Sequence, residues 1–569
     1  MSKPKQPTRR SFLKGTAVTT AAVATGAAFA NTSAEAAGIP RKWNMVADVV
    51  VIGSGIAGTC AAIEAATAGA KVVVLEKDAV PAGCGKLSGG HMTVAATHVQ
   101  KRNGIEDKPE WLYEDMMADS EWTAVPELIR KYSEGGAEHI LWLEQKGIRF
   151  ADQFQSTSNA DRIGNGKSRG HKIAASPDYP GGPHTGGLGM MLMLLRAAEQ
   201  RGVSILLKHK MTRLLRSEGS GPVIGVAAES EGKPLAIRAK RAVVVTTGGW
   251  SGNLRMGLAE DPRLTDDIYP DCWPYRLCLG EGHIAASDVG AELSNMAFGP
   301  YLVPRWGSRV YQIWEPQNFD TVPSIHTGLK IPDFQKVVLV KSDGNRYLNE
   351  MLGKEENPSP KNPKFSIKLH SVPEHPFFQS YLNLKERPRN VWAVTDGDGA
   401  AALGWTRHLD EISNPDPKSG IALYPGMVAT AGTLRELASI MMVDASGLDA
   451  TVSRYNGFVD SGKDTDFGRP VLSSKIVRGP FYAAKLAILK HTCRNGIRVN
   501  TRGQVLDRAG LHDEGKVGSI DDERVIPRLY AAGECAHYLG RYRGHGTLGI
   551  YSFYGRMAGI HAAAEKSSA

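Results

Sequence analysis

Asp48-Val49-Val50-Val51-Ile52 is an uninterrupted apolar run that leads straight into Gly53-Ser54-Gly55-Ile56-Ala57-Gly58. No other stretch of the chain restricts the fold as much. A short apolar run bounded by glycines suits a parallel strand buried on both faces. The Ala-rich stretch that follows, to Ala68, predicts a helix, and Lys71-Val72-Val73-Val74-Leu75 predicts a second strand ending at Glu76. Strand, glycine turn, helix, strand and acid fall at the spacing of a dinucleotide-binding βαβ unit. Gly53 and Gly55 permit a tight turn and close approach to a pyrophosphate, whose charge sits at the helix N-terminus beside Ile56 and Ala57. Gly58 lets helix and strand pack closely, and Glu76, followed by Lys77, is placed to hydrogen-bond ribose hydroxyls. Such a unit holds NAD or FAD, and later segments decide between them.

At 569 residues the chain is too long for one ordinary domain, and two or three lobes are expected. Its 63 glycines follow no collagen-like period, which points to turns and ligand approach rather than a fibre. Disorder and a polytopic membrane protein are excluded by the composition. The net charge is +9, of which the first 36 residues carry +4, with five basic residues against Glu35, leaving +5 for the remainder. That mildly basic surface favours an acidic redox partner or an anionic substrate. No basic stripe with interleaved aromatics marks a nucleic-acid surface. The cysteines (Cys60, Cys84, Cys272, Cys278, Cys493 and Cys535) form no Cys-x-x-Cys pair, so zinc ribbons, thioredoxin-type dithiols and covalent c-type haem lose their sequence basis. Reduced, partly buried thiols and no metal site are expected.

The N-terminus carries an export signal. Thr8-Arg9-Arg10-Ser11-Phe12-Leu13-Lys14 precedes a weakly apolar stretch from Gly15 to Ala30, and Ala34-Glu35-Ala36 forms an Ala-x-Ala cleavage pattern. The apolar stretch is shorter than the ~20 residues that span a bilayer. The string resembles a twin-arginine signal, which implies export of an already folded, cofactor-loaded protein. The mature chain is expected to be periplasmic, with no integral membrane span.

Three more glycine clusters follow. Gly83-Cys84-Gly85-Lys86-Leu87-Ser88-Gly89-Gly90 lies soon after the ribose acid. Ala242 to Trp250 is another buried strand, ending in Thr247-Gly248-Gly249. Arg528-Leu529-Tyr530-Ala531-Ala532-Gly533-Glu534-Cys535 precedes a helix predicted from Thr547 to about Ala564, opened by Gly549 and Ile550, whose N-terminus suits an anionic group. Together these clusters resemble the FAD-binding pattern of the fumarate reductase and succinate dehydrogenase flavoprotein superfamily. That group includes soluble flavocytochrome c fumarate reductases, urocanate reductase and ketosteroid dehydrogenases. The resemblance covers essentially the whole mature chain. It implies an α/β fold: a Rossmann-like, GR2-type FAD-binding domain with an inserted α+β cap domain. The expected boundaries are a signal peptide over 1–36, the FAD domain over 37–290 and 479–569, and the cap over 291–478. No histidine in the first glycine-rich loop matches the covalent-attachment position, although His91 lies just beyond it, so FAD is expected to be non-covalent.

The resemblance also implies where substrate binds: between the cap and the isoalloxazine ring. Asp343-Gly344-Asn345-Arg346-Tyr347-Leu348-Asn349-Glu350 resembles a family segment that precedes the proton donor by four residues. Fumarate reductases carry arginine there and ketosteroid dehydrogenases tyrosine; this chain has Lys354, which suits a general acid if desolvation lowers its pKa. His491-Thr492-Cys493-Arg494-Asn495 resembles a His-Thr-x-Gly-Gly segment whose histidine binds the substrate carboxylate, with Arg494-Asn495 a departure from it. In His537 to Gly549, Arg541 or Arg543 matches a carboxylate clamp. Tyr542 matches instead the tyrosine of a Tyr-Pro-Gly-x-Gly run that binds a ring carbonyl in the ketosteroid dehydrogenases. Trp273, Trp306, Tyr311, Trp314 and Trp405 are either core or the lining of a pocket for a ring-containing substrate.

No second dinucleotide unit and no haem-attachment motif is visible, so electrons are expected to pass through a separate periplasmic c-type cytochrome or a quinol. The leading expectation is reduction of an activated carbon–carbon double bond, an enoate or enone, on a small unsaturated substrate. Desaturation of a ketosteroid-like ring is the alternative, and a non-catalytic electron carrier a further one.

Overall fold

The computed structural model describes residues 39–155, 167–217, 220–270, 277–294, 300–306, 329, 331, 334–351, 376–406, 427–513, 518–542 and 546–568. Its first unit is the expected one. β1 (Met45–Ile52) runs into α1 (Ile56–Thr67), and β2 (Val72–Leu75) returns parallel to β1 with Val49 opposite Val72. All four β2 side chains and the last four of β1 are buried, as an all-apolar strand requires.

A small antiparallel sheet is then made by β3 (His91–Thr93), β4 (Phe150–Gln155) and β5 (Gly170–Ile173), in the order β3-β5-β4. Between its strands lie α2 (Pro109–Asp119) and α3 (Pro126–Gln145), each started by a proline, whose missing N–H costs nothing in a first turn. Following α4 (Gly186–Glu199), β6 (Ser204–Leu206), β7 (His209–Arg216), β8 (Val223–Ser230) and β9 (Lys233–Val245) rejoin the main sheet.

The second lobe is built on another sheet. β10 (Ile268–Pro270), β11 (Pro300–Trp306), β12 (Val338–Val340), β13 (Trp392–Thr395) and β14 (Val428–Ala431) gather around β15 (Phe481–Cys493). The first half of β15 pairs β13 and β14, and the second half pairs β10 and β11. Successive residues of this sheet alternate between two apolar cores, so it is covered on both faces: Ala393 and Ala484 face one, Trp392, Val394 and Ala483 the other. α5 (Glu281–Asp288) lies between β10 and β11 in the chain, and α6 (Ala445–Ser461) packs in the core beside Ala483.

β16 (Gln504–Leu506) and β17 (Val525–Ala531) complete the eight-stranded main sheet, whose backbone order is β16-β17-β9-β1-β2-β6. α7 (Leu548–Ala564) crosses back over α1. Two glycines make this crossing close. A Cβ on Gly555 would sit 2.3 Å from the Ala57 carbonyl oxygen, and one on Gly559 2.3 Å from that of Ala61. Among the described residues no helix is long and apolar enough to cross a membrane.

The segment from Asp343 to Glu350 has a structural duty in the second lobe. Arg346 grips Glu350 bidentately at 2.8 and 2.7 Å and reaches Asp464 at 2.9 Å, while Arg469 meets Glu350 at 3.3 Å. All four side chains are buried. Burial alone would raise the Asp464 carboxyl, but Arg346 and the N–H groups of Phe467 and Asp466 hold it below its ordinary value. Removing one partner strands the other charges. Arg346→Met is therefore expected to cost about 3–5 kcal/mol in chemical unfolding. Because the folded carboxyl titrates below the unfolded one, Asp464 stabilises above the ordinary carboxylate range. That contribution is lost as pH falls through the lowered folded value. An acid-unfolding curve of Asp464→Asn that matches wild type would refute it.

Candidate functional site

The carboxyl ends of β1, β2, β9 and β17 open on one cavity of about 320 Å³. Gly53 (φ 100°) turns the chain off β1, and a Cβ there would strike the Thr246 carbonyl oxygen at 2.6 Å. Gly55 differs: no atom of the described residues lies within 4 Å of where its Cβ would be, and that position opens on the cavity. Ile56 and Ala57, in the first turn of α1, line the same wall. Gly58 faces away and packs on Gly53, whose oxygen a Cβ would meet at 2.0 Å.

Glu76 does more than wait for a ribose. Its buried carboxylate accepts the Ser54 N–H at 3.1 Å, the Ser54 hydroxyl at 2.6 Å and the Asp78 N–H at 2.9 Å. Ser54 Oγ in turn accepts the Ala82 N–H at 3.1 Å. One acid thus fastens the glycine turn after β1 to the end of β2 and to the loop that follows. Lys77 lies beside it, paired with Glu281 of α5 at 2.7 Å on the cavity wall.

Leu87, Ser88 and Gly89 line the next stretch, while Gly90 (φ 76°) packs on Gly186, whose Cα a Cβ would approach to 2.3 Å. Thr247 and Gly248 follow β9 along the wall, and the Thr247 hydroxyl is buried with no hydrogen-bond partner among the described residues. Gly533 (φ 82°), where a Cβ would come within 2.8 Å of the Ala57 Cβ, and Glu534 follow β17. The Glu534 carboxyl accepts the Cys493 N–H at 2.8 Å, and Gly249 lies against it so closely that a Cβ would come within 2.4 Å. Burial raises the Glu534 pKa. Gly549 and Ile550 sit in the first turn of α7 but are buried in the core; a Cβ on Gly549 would strike the Tyr132 hydroxyl at 2.1 Å. Thr547, Leu548 and Tyr551 are the residues of that turn on the wall.

The candidate catalytic residues fall in different places. His491, near the end of β15, lines the cavity together with Thr492. Tyr542 is buried, with the Arg494 guanidinium 5.6 Å from its ring centre. Burial and the Asp119 charge raise its hydroxyl pKa, opposed by Arg494, Thr93 and Arg169. Arg541 reaches Glu121 at 3.2 Å, and its N–H donates to the Thr123 hydroxyl at 2.8 Å. Lys354 and Arg543 lie outside the described residues, as do Trp273, Tyr311 and Trp314. Trp306 and Trp405 are core residues of the second lobe.

Sequence reasoning passed over several parts of the wall. His209, Lys210 and Met211 come from the start of β7, whose pattern reads only as a half-exposed strand. Glu281, also on the wall, was visible beside the glycines at 280 and 282. The thiols require a correction: Cys84 is disulfide-bonded rather than reduced, whereas Cys60, Cys278, Cys493 and Cys535 are free. Cys272 lies outside the described residues.

An open glycine edge, an anchored acid, a helix N-terminus and an orphaned hydroxyl on the wall of one cavity fit a dinucleotide such as FAD. The comparisons agree. The model of the FAD binding domain family matches residues 48–548, and a twin-arginine translocation pathway signal sequence matches residues 6–26. A fumarate reductase (cytochrome) of Shewanella frigidimarina is 26% identical over 91% of this chain and 77% of its own length. The open conformation of a flavocytochrome c3 fumarate reductase superposes with a TM-score of 0.69 at 25% identity, covering 94% of this chain and 80% of that one. A 3-ketosteroid-Δ4-(5α)-dehydrogenase of Rhodococcus jostii superposes with a TM-score of 0.61 at 26% identity, covering 92% and 98%.

The two glycine environments separate binding from folding. Gly55→Val is expected to leave the thermal midpoint close to wild type and to weaken FAD retention by roughly 100-fold. Gly58→Val, which has no room, should instead fail to fold. Full FAD content in purified Gly55→Val protein would contradict this cavity as the cofactor site.

Proposed function

We propose, starting from the fact that this chain belongs to the FAD binding domain family, that it reduces an activated carbon–carbon double bond of an enoate or enone. FAD, when bound, supplies the hydride at N5. The observation that carries this reading is His491. The central strand of the second lobe delivers it to the wall of the cavity that the glycine turns of the first lobe enclose. A hydrogen-bond donor there can hold the activating oxygen of a substrate lying between the lobes.

Each remaining duty falls to a named residue. Glu76, through Ser54, keeps the first glycine turn in its binding shape. Gly533, beside Ala57, and the start of α7 present backbone on the cavity wall. Tyr542, with the Arg494 guanidinium against its ring, offers its hydroxyl to a substrate carbonyl. Lys354 is assigned the proton delivered to the second carbon, from its place in the sequence. Arg541 and Arg543 are assigned to a substrate carboxylate on the same ground. FAD is held without a covalent bond. The protein acts in the periplasm, and its electrons come from a separate c-type cytochrome or a quinol.

A second reading, desaturation of a ring beside a carbonyl, rests on Tyr542 and on the likeness to the ketosteroid dehydrogenase. Turnover with reduced viologen decides between them. Fumarate, urocanate, acrylate and cinnamate are set against enones and ketosteroids. Oxidation of viologen by one of the carboxylates or simple enones supports the reductase. If Tyr542 binds the carbonyl, Tyr542→Phe should lower kcat by about 10²–10³-fold. Viologen left reduced by every alkene, with flavin reduced by a saturated ketosteroid, would overturn the reductase reading in favour of the dehydrogenase.

A further inference from the structure

The fold gathers several titratable side chains around one carboxyl on the wall of the cofactor cavity. Glu534 is brought there by the single turn Gly533–Cys535, His491 by the end of β15 and Tyr551 by the first turn of α7. Oε1 of Glu534 accepts the Cys493 N–H at 2.8 Å, and a Cβ on Gly249 would come within 2.4 Å of the same oxygen. The other oxygen, Oε2, accepts no side-chain hydrogen bond among the described residues. The groups that act on this carboxyl are His491, Cys493 and Arg494 at the end of β15, Cys278 ahead of α5, Tyr551 of α7 and the adjoining Cys535. Burial raises the three thiols and the phenol, so all four are uncharged near neutral pH. Glu534 is the carboxylic acid of the group, and it faces two cationic side chains and the cofactor.

We propose, resting on the reading that this cavity holds FAD and that FAD passes hydride to an alkene, that Glu534 is a redox-linked proton site. Its carboxylate takes up one proton when the cofactor is reduced and releases it when the cofactor is reoxidised. Two electrons from the cytochrome or quinol enter the site with two protons from solvent. One proton leaves with the electrons as the hydride that reaches the first alkene carbon. The other forms an O–H bond on Glu534 and is given up as the second carbon gains its proton. Atoms and charge therefore balance over one cycle.

The surroundings prepare the carboxyl for this exchange. Burial raises its pKa above the ordinary value, and the Cys493 N–H, His491, Arg494 and the Gly249 N–H oppose that rise. The charged form is thus only partly supported by its neighbours. Electrons arriving in the cavity add negative charge beside it, and a like charge disfavours a carboxylate further. Reduction of the cofactor and protonation of Glu534 then favour each other, as coupled titrations do.

Potentiometry of the full-length protein with its cofactor bound tests this, with Glu534→Gln keeping an oxygen for the Cys493 N–H. Midpoint potentials of both proteins are measured between about pH 5 and 8, above the ordinary carboxylate range. Uptake of a proton on reduction makes the potential fall as pH rises. Over part of that range the wild-type line should be steeper than the variant line by one proton per two electrons. That is a tenfold change in equilibrium constant per pH unit, or about 30 mV. A second measurement uses wild type alone: its reduced-minus-oxidised infrared spectrum should gain the C=O band of a protonated carboxyl and lose carboxylate intensity. Lines that stay parallel throughout overturn the proposal, and so does an infrared difference without that band. Neither measurement includes an alkene, so a protein that reduces no alkene still passes both if Glu534 takes the proton. Rapid reoxidation by an enoate together with parallel lines would remove the proton site and leave the reductase reading standing.

Discussion

The buried carboxyl of Glu534 is the point on which the site depends. It accepts the N–H of Cys493 at the end of β15, and Gly249, just past β9, lies against it. Glu534 itself stands just past β17. Two strands of the cofactor sheet and the central strand of the second lobe therefore end on one side chain. A buried carboxyl without such partners would cost several kcal/mol, so the arrangement is strongly specified. It also sets where His491, two residues before Cys493, meets the cavity. The position of a cavity-lining residue thus follows from a hydrogen bond two residues further along its own strand.

The second lobe is held in the same manner. β15 belongs to it by pairing and to the cofactor site by its last residues. The cluster of Arg346, Glu350, Asp464 and Arg469 fixes the Asp343–Glu350 segment in that lobe. A Cβ on Gly344 (φ 75°) would come within 2.3 Å of the Leu448 N–H nitrogen, which closes the turn on α6. A run that resembles a catalytic signature is, in its described part, a clasp.

The parts of this architecture that were legible in the sequence are local ones. The apolar run before Gly53, the glycines at 53, 55 and 58 around the start of α1 and the acid ending β2 lie within about thirty residues, and their spacing alone defines a βαβ unit. The strand ending at Val245 and the helix opening at Leu548 are legible for the same reason. What escaped depends on distance along the chain. Nothing near Cys84 reveals that Cys278 will touch it, and nothing in β7 marks His209 as part of a cavity wall. Glu76 shows a subtler limit: spacing points it at a ribose, but only the fold shows Ser54 on the same carboxylate. Gly549 is similar, since its want of a side chain answers to Tyr132.

The central claim is that this cavity holds FAD and that the reduced cofactor gives its electrons to an activated alkene. The most direct measurement is anaerobic reoxidation of dithionite-reduced holoprotein, followed by flavin absorbance in a single turnover. The account predicts one FAD per chain, released intact by acid, and rapid return of the oxidised spectrum with an enoate or enone. A flavin that stays reduced in the presence of every unsaturated acid and enone, yet reoxidises with a cytochrome, would contradict it and leave an electron carrier.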